Sequence, residues 1–477
     1  MSLPKVKIPD RYESLVRMPN GGELRSVVVP VVAGLDAIDA IYDDMSSAGR
    51  GAFLILLGAS GSGKSTLVHT VHLFRHGVIT VGVESDELIP TALDDLDPYE
   101  GWLRLVVIKG REALADTTDA DLQSALLAIN SFVRRKEGEN TLVVWPCNMR
   151  ELAEKLAALA GAIGGGALLG VYGGVFEYAG PDKGQYLNIA TRTIEALNAG
   201  ASLVSLGIAE LRAQQLAEKV STIGAFMQGL REEARRNQSV LQGRLSTQES
   251  FQLWTVVIAG NDPESEVRSL TRGAHYSADI DKLLVSTEAN VAQDLKRHPE
   301  RLGLLGASVG ARVLHVSFMT ALAVVRDFAG DDLRARLAAT GVFTEKDGKG
   351  APRLRDSQLG GALRGLPQGL RAPGRPPRDE RRQEFERLTA FARSDDGALN
   401  ETFGLALQAS ALVRGFRREA PLGDANARHS DLLCETESGS VRLEFMWRSS
   451  ATSGEIARYV LEKLRNYGKA IGFLNGG

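Results

Sequence analysis

Cysteine is scarce in this chain: two residues among 477, Cys147 and Cys434, far apart in sequence. That excludes a disulfide framework and any all-cysteine zinc cluster, and it fits a reducing cytoplasm. A dominant charge is missing too. Lys and Arg total 56 and Asp and Glu 59, a formal net charge of −3. This excludes a wholly basic nucleic-acid coat and an acidic tail protein, so any DNA-binding surface must be a local patch. The opening residues, MSLPKVKIPDRYESLVR, hold no apolar core of signal-peptide length. One uncharged stretch, Leu156–Phe176, has the length of a membrane span, but seven of its residues are glycine. The cluster Gly164-Gly165-Gly166 reads better as a break between a soluble helix and a buried strand, and no membrane is expected.

What remains is an ordinary globular composition, 44% apolar and 24% charged, long enough for two to four domains. Residues 35–48 have helical apolar spacing. FLILL (53–57) is a short continuous apolar run, the mark of a buried parallel strand. Further runs follow at ITVGV (79–83), LRLVVI (103–108), TLVVWP (141–146) and ALLGVY (167–172), with helical segments at 119–135, 149–163 and 185–198. Strands alternating with helices predict a doubly wound parallel sheet. Residues 202–245 read as helical. Residues 249–330 read as mainly helical, with the apolar stretch LWTVVIAG near their start. Residues 346–382, rich in Pro, Gly and Arg, read as a basic flexible linker. A last compact unit, 395–477, has helix, hairpin, helix, strand order; no internal repeat is present.

The most specific signal is Gly58-Ala59-Ser60-Gly61-Ser62-Gly63-Lys64-Ser65-Thr66, which matches G-x-x-x-x-G-K-[ST] between a buried strand and an amphipathic segment. Glycines let backbone N–H groups turn inward on a phosphate, and the following helix presents its positive end. Lys64 is expected on the β/γ-phosphate oxygens of ATP, and Ser65 on Mg2+. A second acid is expected after a later strand. Glu112 is the candidate, with Asp116 beyond it and Glu84 and Asp86 as others; the competing reading of Glu112 is a solvated loop residue.

The order of these segments resembles the AAA+ ATPase core. The resemblance implies a polar sensor at the end of the fourth strand, where Asn148 stands, and a fifth strand and helix within 175–197. It also implies a helical lid over 202–245, in which Arg231 touches the γ-phosphate. Asn148 reads equally as a helix cap, and Arg231 as a solvated arginine. The resemblance covers about half the chain. The Asp-Glu acid pair is missing and no arginine finger is placed, so signalling ATPases of the STAND type and origin-recognition-like ATPases fit as well. Homo-oligomerisation is implied by the same resemblance.

At the C-terminal end, a helix (398–416) precedes strands at 429–435 and 441–448. This resembles the PD-(D/E)xK nuclease superfamily core. Asp431 and Glu444 match its two metal-binding acids and Glu401 the third; two carboxylates sharing a divalent ion can activate water against a phosphodiester. The lysine position, two after Glu444, holds Met446, with Arg448 as a stand-in. A cutting enzyme, a degenerate fold kept for DNA binding or assembly, and an unrelated α/β unit all remain open. His429 reads as a surface residue, and Trp447 as core or as a base-stacking ring. The linker arginines (353, 355, 364, 371, 375, 378, 381 and 382) read as a solvated tether or as phosphate contacts.

Five segments are therefore expected: an ATPase core at 1–200 and a helical lid at 201–247, then a mainly helical, possibly winged-helix, domain at 248–345. A linker at 346–394 and a restriction-endonuclease-like α/β domain at 395–477 complete the chain. The expected function is that of an ATP-binding and ATP-hydrolysing protein acting on DNA in the cytoplasm. Bacterial antiphage defence or mobile-element control, with a partner from the same operon, is the setting by analogy. An ATP-gated regulatory switch with little turnover is the alternative, and a P-loop kinase the third reading.

Overall fold

Six consecutive buried residues, Ala52–Leu57, form strand β1. Alternate side chains leave it on opposite faces, as a strand dictates. Phe53, Ile55 and Leu57 join one apolar cluster with Leu122, Leu126 and Leu152. Leu54 and Leu56 join another with Leu35, Ile38 and Leu67. Helices thus cover both faces, and a sheet buried on both sides has apolar runs rather than alternation. The other strands are β2 (Val78–Val83), β3 (Leu103–Ile108), β4 (Thr141–Cys147) and β5 (Val175–Glu177). All pair in parallel in the order β2-β3-β4-β1-β5, a P-loop NTPase-like α/β architecture.

The computed structural model describes residues 6–17, 24–113, 118–245, 251–367, 379–422 and 429–474. Asp116 and the arginines at 371, 375 and 378 lie outside them. The chain divides into two compact units. One is Lys7–Asn198 with Leu211–Glu232; the other is Ala199–Glu210 with Glu233–Gly477 and Met1–Val6. No helix among the described residues is long and apolar enough to cross a membrane.

The strand expected at 167–172 is instead a short helix, Gly166–Leu169, followed by a 3-10 turn, Val171–Gly174. Gly165, Gly170, Gly173 and Gly174 take positive φ, as does Tyr172. Such a run of left-handed residues cannot be extended. The fifth strand begins just after it, within the segment that the AAA+ resemblance implied.

The second unit is built on β6 (Phe251–Ala259), nine residues long. With β7 (Thr271–Arg272), β8 (Ser277–Ala278), β9 (Arg312–His315), β10 (Gly415–Pro421), β11 (His429–Thr436) and β12 (Gly439–Arg448), it forms one sheet. The order is β10-β11-β12-β6-β9-β8-β7. β6 runs parallel to β12 from Phe251↔Ser440 to Ala259↔Arg448, and parallel to β9 on its other side. The expected domains at 248–345 and 395–477 therefore share a sheet and one continuous core.

The expected linker differs as well. Helices Gly350–Arg355 and Gln358–Leu363 bury Leu354 and Leu359, and Gln358 Oε1 accepts the His315 amide at 2.8 Å. Helix Asp379–Ala409 buries Phe385 and Leu388. A few leucines at helical spacing, masked by Gly and Arg, are enough to anchor this segment. Three of its arginines are engaged within the fold. Arg353 donates to the Met319 carbonyl, Arg364 to those of Gly360 and Arg355, and Arg381 to Glu384.

Candidate functional site

β1 ends at Leu57, and the Gly58 amide still donates to the Cys147 carbonyl of β4 at 3.0 Å. The chain then turns through Gly61 and Gly63, at φ 81° and 97°, conformations that glycine adopts without a Cβ penalty. Space forces glycine at position 58, where a Cβ would lie 2.4 Å from the Tyr178 carbonyl oxygen. Gly63 then opens the helix Lys64–Thr70. This is the strand, loop and helix N-terminus that an anionic group requires.

Lys64 is buried at the mouth of this loop. Its Nζ donates to the carbonyls of Gly58 (2.5 Å) and Ala59 (3.1 Å) and to Oδ1 of Asn148 (2.8 Å). Burial holds the ammonium below its usual pKa, with Glu112 and Cys147 working the other way. The neighbouring Cys147 thiol is pushed up to about 12 by burial, against the pull of Lys64. Asn148 stands at the end of β4, and its amide donates to the Glu112 carbonyl at 3.0 Å. Glu112 Oε1 accepts the Gly110 amide at 3.2 Å. The ends of β3 and β4 therefore bring Lys64, Asn148 and Glu112 together. Glu84 instead pairs with Lys109 at 2.6 Å, and Asp86 is exposed.

Lys64, Asn148 and Glu112 line a cavity of about 270 Å³, along with Ser60, Gly61, Gly63, Ser65 and Thr66. Val27, Val28, Ile189 and Met227 supply apolar wall. Ser62, from the same loop, is buried, and its hydroxyl has no partner among the described residues. The donor set suits a triphosphate, and Ser65 and Glu112 are oxygen ligands of the kind that Mg2+ takes.

The N-terminal segment forms one side of the cavity through Asp10, Arg11 and Tyr12. Tyr12 stacks on His69 with centroids 4.9 Å apart. Arg231 is committed to Asp10 through two hydrogen bonds of 2.9 and 3.0 Å. Its helix, Ile223–Leu245, begins against the P-loop, where the Gly224 amide donates to the Gly61 carbonyl at 2.9 Å. Arg150 pairs with Glu177 at 2.7 Å.

In the second unit, Asp431 and Glu444 face each other one step beyond the last β11–β12 pair, Leu432↔Leu443. Asp431 Oδ2 accepts the Phe445 amide at 2.6 Å. Glu444 is fully buried. Its Oε2 meets the ammonium of Lys463, and its Oε1 accepts the Tyr467 hydroxyl at 2.7 Å. Lys463 also lies over the Tyr459 ring, 5.2 Å from its centroid. Burial, then Glu444, pushes the Asp431 carboxyl up to about 7. Burial works against the Lys463 ammonium, but Glu444 and Asp431 more than offset it and raise its pKa.

Glu401 is not part of this corner; it pairs with Arg418 at 2.9 Å. Asp396, on the same helix, lies close enough to act electrostatically on Asp431. Met446 is buried, Arg448 and His429 are exposed, and the buried Trp447 donates its Nε1 to Asn400. Among the described residues no group of three or more His, Cys, Asp or Glu is placed to hold a metal ion. With both oxygens of Glu444 engaged, this corner does not fit a divalent cation. Lys463 and Tyr467 were missed in the sequence. Their signal was a four-residue spacing, Tyr459, Lys463, Tyr467, that sets three polar heads on one face of an otherwise apolar helix stripe.

No protein-family model matches this chain, and no curated protein sequence matches it. Among solved structures it is similar to the Orc1 protein of Aeropyrum pernix in complex with DNA. The identity is 16%, over 61% of this chain and 81% of that one, with a TM-score of 0.31. A superposition that loose leaves the family unassigned.

Proposed function

We propose that this chain is an ATP-binding, ATP-hydrolysing protein of AAA+-like build that works on DNA. The observation that carries the proposal is the grouping of Lys64, Asn148 and Glu112 on the cavity floored by the P-loop. Lys64 would neutralise the terminal phosphates, which the loop amides grip. Ser65 and Glu112 would hold Mg2+, which supplies charge neutralisation at the phosphates when bound. Asn148 would orient a water, and Glu112 would accept its proton. Val27, Val28, Ile189 and Met227 offer a flat base apolar contact.

Helix Ile223–Leu245 starts on Gly61, and its later residues belong to the second unit. The covalent chain itself therefore offers a route by which nucleotide state reaches that unit. DNA as partner rests on exposed arginines, Arg417 on edge strand β10 and Arg448 at the end of β12, side chains of the kind that contact a phosphate backbone. Homo-oligomeric assembly rests on the AAA+ resemblance; an operon-encoded partner and a role in antiphage defence or mobile-element control rest on analogy with ATPase modules fused to nuclease-like folds.

Calorimetry with ATP and Mg2+ tests it. The unaltered chain binds, and Lys64→Ala loses affinity by at least about 100-fold, some 2.7 kcal/mol. Glu112→Gln keeps affinity and loses steady-state turnover about tenfold or more. Equal ATP affinity in Lys64→Ala and the unaltered chain defeats the proposal. A second reading, the ATP-gated switch with little turnover, is favoured by the absence of an Asp-Glu pair after β3. Tight binding without turnover in the unaltered chain selects it.

A further inference from the structure

We infer that Lys463 takes the place of a metal ion between Asp431 and Glu444. The nuclease-like corner of the second unit is thus a metal-free ion-pair core rather than a hydrolytic centre. The inference is independent of the P-loop reading and rests on four observations.

The first is the state of Glu444. It has no exposed surface, and a buried carboxylate must be paired and hydrogen-bonded to persist. Here the pairing is complete, with the Lys463 ammonium on one oxygen and the Tyr467 hydroxyl on the other. A divalent ion of the Mg2+ type needs about six oxygens in near-octahedral array, and this corner leaves it none from Glu444.

The second is Asp431. One of its oxygens replaces a strand carbonyl by accepting the Phe445 amide, so a single carboxylate oxygen remains for a metal. The third is the outer acid: Glu401 is turned to Arg418, and Asp396, although near enough to act on Asp431, completes no group of three acids placed to hold a metal ion among the described residues.

The fourth is how Lys463 is held. Its helix, Ser453–Ala470, is fixed at its start by a capping box between Thr452 and Glu455. The ammonium lies over the Tyr459 ring, and the Tyr459 hydroxyl is itself tied to the Phe445 carbonyl at 2.9 Å. The cation is thus brought in by its helix and held in place by packing. Met446, two residues after Glu444, is buried as an apolar side chain, so the strand supplies no second cation at this point.

Two measurements on the full-length chain without nucleotide test the inference. In the first, Mn2+ is titrated by electron paramagnetic resonance into the unaltered chain and into Asp431→Asn, and both are incubated with plasmid DNA and Mg2+ or Mn2+. The expected result is the same Mn2+ uptake in both and intact plasmid in both. Mn2+ binding that Asp431→Asn abolishes, or nicking that the same variant loses, overturns the inference.

The second is a thermal cycle. Lys463→Met leaves Glu444 buried without its cation and is expected to lower the Tm of the second unit by about 10 °C. Adding Glu444→Gln to it should recover at least half of that loss. A double variant no more stable than Lys463→Met overturns the inference, and so does a Lys463→Met chain that melts as the unaltered one does. If Lys463→Met does not yield folded protein, recovery of folded chain in the double variant is the supporting result, and its absence the contrary one.

Discussion

Asp431 is an acid whose protonation is set by its surroundings. Burial and the neighbouring Glu444 raise its carboxyl from 3.8 to about 7. The folded chain therefore keeps this proton over a range in which the unfolded chain has released it. Stability from this group falls as pH rises from about 4 to about 7, and the loss is complete above 7. Asp431→Asn removes the titration, because an amide oxygen can still accept the Phe445 amide. The variant should gain about 1–2 kcal/mol relative to the unaltered chain between pH 5 and pH 8, less than the full pKa shift implies because solvent reaches the carboxyl. Urea unfolding of the second unit at the two pH values measures it, and a stability gap that does not move with pH refutes it. At this scale the sequence was readable where partners are close in the chain or follow a motif. The P-loop is nine contiguous residues, and Glu112 and Asn148 each follow a recognisable strand. The partners of Glu444 were not readable, because a helix beyond the strand brings them in. Nor was the pairing of Arg231 with Asp10, which lie 221 residues apart.

Helix Ile223–Leu245 presses its first turn on the phosphate loop at a point where neither partner has a side chain. A Cβ at position 224 would lie 2.9 Å from the Gly61 Cα and 3.0 Å from its carbonyl oxygen, both backbone atoms that cannot swing aside. Gly224→Ala must push the helix off the loop or distort the loop. We expect it to weaken ATP binding about tenfold, near 1.4 kcal/mol. Gly229→Ala, on the same helix, would meet only the Leu216 side chain, at 3.6 Å. It should leave affinity unchanged and raise helix stability by up to about 1 kcal/mol. Equal affinities for the two variants would remove the helix from the nucleotide site. Among the elements, long apolar runs gave β1, β3 and β4 directly. The glycine-rich stretch 161–174 misled, because its apolar residues suggested a strand while its glycines are used for positive φ. The three residues of β5 that follow are too few to announce themselves by composition.

On the scale of the whole molecule, the second unit is a sheet whose central strand comes from before its helices and whose neighbouring hairpin comes after them. Parallel pairing of β6 with β12 leaves no local trace, since no turn joins the two strands and each reads alone as a short apolar run. LWTVVIAG therefore looked like an apolar patch in a helical region, and 395–477 looked self-sufficient. The structure makes them interdependent. Every residue of β12 from Ser440 to Arg448 is matched with one of β6, and Tyr467 of the last helix packs on Phe251 of β6 with ring centroids 5.7 Å apart. A fragment of residues 379–477 would expose one full edge of β12 and the apolar face that Val256 and Ile258 help to bury. An open, flat, apolar edge promotes association rather than folding. The fragment alone should be unfolded or aggregated by circular dichroism and size-exclusion chromatography. Co-expression with residues 199–378 should restore a soluble complex with a cooperative melt, because the missing strand returns as a separate chain. A 379–477 fragment that is monomeric and melts cooperatively by itself would show that β12 does not need β6, and those residues would then stand as a domain of their own.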